Sequence, residues 1–159
     1  MTLHMQDHND APRSDVGFER VTHLDQLLAI IVYHRFHDQG VHFFSDPELS
    51  QQLAYMKHDT GKIIRPHVHN EVQREVRLTQ EVLMIKKGKI RVDFYNQDKT
   101  YLESRILASG DVILLADGGH GFEVLEDLEM IEVKQGPYAG EKDKVLFEGV
   151  VSKDAVYSR

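Results

Sequence analysis

From Val41 onward the chain is a succession of short apolar runs broken by clusters of turn-forming residues. Strand-like stretches cover residues 41–44, 52–57, 61–69, 82–86, 90–95, 102–107, 112–115, 122–125 and 130–134. Asp59-Thr60-Gly61, Asn96-Gln97-Asp98, Ser109-Gly110-Asp111 and Glu126-Asp127 punctuate them. Many short strands at close spacing predict a sandwich or barrel. Upstream the period changes. Val21, Leu24, Leu28 and Ile31 recur at helical spacing, and Thr22-His23-Leu24-Asp25 resembles a capping box, so one short amphipathic helix is predicted there. Residues 1–15 are polar and read as a disordered tail, and the end from Gly140 is charged and reads as peripheral.

Alternation within the strands sorts core from solvent, because successive side chains leave opposite faces. Ile90, Val92 and Phe94 share one face and Arg91, Asp93 and Tyr95 the other, and the apolar set is assigned to the core. In 61–69 the same parity puts Arg65, His67 and His69 on one face and Val68 on the other.

Composition narrows the function classes. A single domain fits 159 residues with 41% hydrophobic content. A net charge of −7 and a pI near 5.8, with no basic stripe, argue against a nucleic-acid partner. The absence of cysteine excludes disulfides and thiolate metal sites, leaving imidazole and carboxylate as ligands. No apolar targeting segment opens the chain, and no apolar run, including 27–32, is long enough to span a bilayer. A cytoplasmic location with no membrane partner is the expectation.

The chemistry concentrates in four residues. His67 and His69 lie on one strand face. Glu81 opens a strand, and His120 follows Gly118-Gly119, where a tight bend can deliver an imidazole. Three imidazoles and a carboxylate suit a divalent transition metal. The candidates are Fe, Ni, Mn, Zn and Cu, and Glu71 and Glu75 compete with Glu81 for the carboxylate position. Arg65 shares the ligand face and would pair with an anionic substrate, while His58, just before Gly61, would line the same cavity. His23, His34, His37 and His42 fit no ligand spacing, and the tail histidines His4 and His8 read as incidental.

At these residues the sequence resembles the cupin superfamily. Gly61, His67, His69, Glu81 and Gly88 follow its first motif, with an insertion over 70–80. Gly110, Gly118 and His120 follow its second in part, with Ala116 in place of proline and His120 one residue early. The resemblance covers about residues 41–135. It implies an all-β fold, a single double-stranded β-helix (jelly-roll) barrel with the short N-terminal helix added. The division is a tail (1–15), a helix and linker (16–40), the barrel (41–139) and a C-terminal peripheral segment (140–159). It also implies one divalent metal on His67, His69, Glu81 and His120, and a small-molecule ligand. The function expected is that of an isomerase or dioxygenase acting on a hydroxy-carbonyl or sugar-like substrate, or that of a non-catalytic ligand-binding or structural barrel. A homodimer covering exposed sheet edges is expected as well.

Overall fold

A computed structural model describes residues 17–157, an almost entirely β arrangement. Its eight strands are β1 (Phe18–His23), β2 (Gln26–Val32), β3 (Gly40–Phe43), β4 (Ala54–Lys57), β5 (Glu81–Tyr95), β6 (Tyr101–Ala108), β7 (Val112–Leu115) and β8 (Gly119–Lys134). Six form one antiparallel sheet in the order β1-β2-β7-β5-β6, with β8 paired to β5. The sheet is strongly curled into a half-barrel, and the β3–β4 hairpin packs beside it through Phe44 and Tyr55.

The helix expected near Val21 is not formed. Its residues are the hairpin β1–β2, registered from Phe18 opposite Val32 to His23 opposite Gln26. Leu24 and Asp25 both take positive φ, 46° and 64°, the geometry of a two-residue hairpin turn whose twist suits the flanking strands. The run 27–32 is β-branched at three positions, and Leu28 to Val32 are all buried. A strand covered on both faces reads as a continuous apolar run, and this overrides the helical spacing of four positions. The polar tail falls outside the described residues.

Two further boundaries differ from expectation. Runs 82–86 and 90–95 are one strand, β5, and runs 122–125 and 130–134 are one strand, β8; the two pair along their whole lengths, from Tyr95 opposite Gly119 to Glu81 opposite Lys134. The expected turns at Gly88 and at Glu126-Asp127 are irregularities in this ribbon. Gly88, at φ 84°, lies so close that an added Cβ would stand 2.0 Å from the Asp127 carbonyl oxygen. The extra residue shifts the side-chain phase, so Leu83 and Ile85 before it and Ile90, Val92 and Phe94 after it face the same core.

That core fills the concave side, where Val21, Ala29, Ile31, Ile113 and Leu115 meet the β5 residues. Ile30, Val32 and Leu114 point the other way and pack with Phe44, Phe36 and Tyr55. The curl also brings the outer strands of the sheet, β1 and β6, close together. Arg105 Nε of β6 donates to Glu19 Oε1 of β1 at 2.6 Å, and the Tyr33 hydroxyl donates to Glu19 Oε2 at 2.7 Å. Side chains, not a backbone ladder, bridge the seam.

Among the described residues no helix is long and apolar enough to cross a membrane.

Candidate functional site

Glu81 is the first residue of β5, flanked by Leu115 of β7 and Lys134 of β8. By strand parity it shares the face of Leu83 and Ile85, at the rim of the concave core. His120 is cross-strand from Phe94, at the far end of the same ribbon. Yet the curl closes the gap: His120 Nε2 lies 3.2 Å from Glu81 Oε2. The hydrogen bond from His120, reinforced by the charges of His120, Lys134 and Lys144, holds the Glu81 carboxyl below its ordinary range against the opposing effect of burial. The sheet therefore presents an ionised carboxylate and an imidazole side by side, both partly buried.

Neighbours complete the rim. Lys134 Nζ donates to Asp143 Oδ2 at 2.9 Å, and the Thr79 hydroxyl donates to Asp143 Oδ1 at 3.1 Å. Gly119 packs against the Phe147 ring, where an added Cβ would meet Cζ at 3.2 Å. A shallow open pocket lies alongside, between Val76 and Thr79 on one side and Gln135, Pro137 and Asp143 on the other.

The other two expected ligands stand elsewhere. Residues 61–69 do not form the expected strand; they lie in an exposed segment without regular structure between β4 and β5. The His67 and His69 rings meet edge to face with centroids 5.2 Å apart, and His67 Nδ1 bonds the Arg65 carbonyl oxygen at 3.0 Å. His58 lies beyond the end of β4 at Lys57, and both it and Arg65 are exposed. Glu71 and Glu75 are exposed too, with Glu75 paired to Arg77 at 2.9 Å. The four expected ligands thus form two pairs, Glu81 with His120 and His67 with His69. Among the described residues no group of three or more His, Cys, Asp or Glu is arranged to hold a metal ion. In donor chemistry the four residues fit a divalent transition metal, and the Glu81–His120 pair supplies a carboxylate and an imidazole already in contact.

A second polar cluster was not visible in the alternation. Arg91 and Asp93, assigned to the solvent face, are 2% and 4% exposed, so both faces of this half of β5 are covered. Arg91 Nε donates to Asp93 Oδ1 at 2.7 Å, its Nη1 meets Glu123, and the Ser104 hydroxyl donates to Asp93. The cover is the C-terminal segment, expected to be peripheral. Val150 N–H donates to the Tyr95 hydroxyl at 2.8 Å, Val156 N–H to the Tyr101 hydroxyl at 2.7 Å, and Ser104 N–H to the Val156 carbonyl at 2.8 Å. Phe147 stacks edge-on against Tyr95. Charge alternating with apolar residues signals a solvated face unless a distant segment covers it, and no local pattern announces that cover.

Comparison with protein-family models, with curated proteins and with solved structures gave no match.

Proposed function

We propose that this chain is a metal-binding barrel of the cupin type, acting on a small hydroxy-carbonyl or sugar-like molecule. The observation that carries the reading is the contact between Glu81 and His120, residues thirty-nine positions apart in sequence, 3.2 Å apart at the rim of an otherwise apolar concavity. A carboxylate held below its ordinary range beside an imidazole brings two donor types to one point, and a metal binding there would displace the proton they share. His67 and His69 would complete the donor set. A divalent metal bound there, whether Fe, Ni, Mn, Zn or Cu, would supply Lewis acidity toward adjacent substrate oxygens or a seat for dioxygen.

The chain's own residues would do the rest. Lys134, across from Glu81, adds positive charge at the rim, and Arg65, brought in with His67, would pair with an anionic substrate group. Phe147 and the segment that carries it would shield the rim from water. A non-catalytic ligand-binding or structural barrel is the second reading, and the apolar packing that fills the concavity favours it. A homodimer and a cytoplasmic setting belong to either.

Metal analysis of untagged protein tests the proposal. The wild type is expected to retain roughly one divalent ion per chain. Glu81→Gln with His120→Ala, and separately His67→Ala with His69→Ala, should each abolish retention while the far-ultraviolet spectrum stays unchanged. Equal metal content in all three proteins would overturn it.

A further inference from the structure

Between the exposed segment that follows β4 and the Glu81–His120 pair stands one buried amide that the proposed chemistry does not use. Residues 58–79 are exposed, and no backbone hydrogen bond ties 63–79 to another described element. Gln80, the next residue, is 2% exposed. Its side-chain oxygen accepts from the Ser50 hydroxyl at 2.9 Å and from the Gln51 N–H at 3.0 Å, and its Nε2 donates to the Ala116 carbonyl at 3.3 Å. Its own backbone carbonyl accepts from the Gln135 N–H at 2.9 Å and from Gln51 Nε2 at 2.8 Å. A backbone N–H can only donate, so Gln51 fixes which end of the amide is oxygen.

These ties lead to the parts of the rim. Ala116 follows Leu115, the β7 neighbour of Glu81, and opens the bend that reaches His120 four residues later. Its N–H is held in turn by the Leu28 carbonyl at 2.8 Å. Gln135 follows Lys134, the β8 neighbour of Glu81. Ser50 and Gln51 belong to the loop between β3 and β4. A strand end beside a loosely held segment frays, because few bonds oppose its opening, and Glu81 is such an end. Gln80 fastens it on both flanks.

We propose that Gln80 is the positioning residue of the Glu81–His120 pair: its amide keeps the looseness of 58–79 from reaching Glu81 and anchors the bend that delivers His120. That role rests on the pair being the site, whether or not a metal occupies it. An amide of this length suits the position and its nearest substitutes do not. Glutamate keeps an oxygen for Ser50 and Gln51 but turns its second oxygen toward the Ala116 carbonyl, as a costly buried anion. Asparagine falls a methylene short. Leucine or methionine fills the space and leaves the Gln51 N–H and the Ala116 carbonyl without this partner. The exposed bond of Thr79 to Asp143 is no replacement, since it reaches neither Ala116 nor Gln135.

Acylation of histidines by diethylpyrocarbonate, mapped by mass spectrometry on the full-length chain after chelator treatment, tests this role. His120 is partly buried and in contact with Glu81, whereas His67 and His69 are exposed. Gln80→Ala and Gln80→Glu should each acylate at His120 about fivefold faster than the wild type, the factor that one net hydrogen bond of local stability supplies, with His67 and His69 unchanged. Gln52→Ala loosens the same loop through the bonds to Asp46 and Leu49 without touching Gln80, and should leave His120 at the wild-type rate. Should the Gln80 variants fail to fold, Ser50→Ala removes a single bond and should give about a twofold rise. A wild-type rate at His120 in these variants, or an equal rise in Gln52→Ala, would overturn the proposal. Bound metal is measured before the chelator is added. A faster His120 in the Gln80 variants of a protein that retains no metal would uphold the positioning and sink the metal reading; retained metal with His120 indifferent to Gln80 would do the reverse.

Discussion

Single residues decide how this sheet closes on itself. Tyr33 donates to Glu19, which also receives Arg105 across the seam, and both burial and the adjacent carboxylate raise the phenol above its ordinary value of 10.0. Above that value the unfolded chain loses the Tyr33 proton while the folded chain keeps it, so folding stability falls as pH rises. Thermal unfolding followed from about pH 8 to about pH 11 should show a steeper decline for the wild type than for Tyr33→Phe, and parallel declines would refute this account of the seam. Glu81 and His120 were legible as chemistry because, in a chain without cysteine, imidazole and carboxylate are the ligand types that remain. Arg91 and Asp93 were not, because their burial depends on a cover that arrives fifty residues later in the chain.

At the scale of elements, most strands were legible and their continuity was not. β7 coincides with its apolar run, and β6 extends its run by one residue at each end. β5 and β8 were divided because a glycine and an acidic pair look like turns, whereas here they sit at irregularities that keep two halves on one core. The hairpin β1–β2 was masked by a chance helical spacing and by a turn without the usual residues. Leu24 is 87% exposed and held at positive φ, which costs a residue of its type about 1 kcal/mol. Replacing Leu24 with Asn and Asp25 with Gly should therefore stabilise the protein by about 1 kcal/mol, read from urea unfolding midpoints. Destabilisation would show that the turn is not of this type. The segment 61–69 was expected as a strand on its alternation, and it lies unpaired in the structure.

For the whole molecule, the C-terminal segment acts as a strap. None of its residues from Lys144 to Tyr157 is fully buried, and three hydrogen bonds of 2.8 Å or less between its backbone and β5 and β6 groups hold it over Arg91 and Asp93. Ending the chain after Asp143 should cost about 3 kcal/mol, about one for each bond lost, by equilibrium denaturation. A truncated chain as stable as the parent would mean that the strap rests on the sheet without supporting it.

The ribbon of β5 and β8 also sets an order of assembly. β1 and β2 meet across a two-residue turn, but β5 must wait for β6, β7 and the whole of β8, with Glu81 joining Lys134 across fifty-three positions. Such distant pairing is slow to form because the loop must close before contacts reward it. The ribbon would zip from Tyr95 and Gly119 toward Glu81 and Lys134, so the rim that carries Glu81 is among the last parts to become native. A nascent chain would display the apolar face of β5 until β8 has been made.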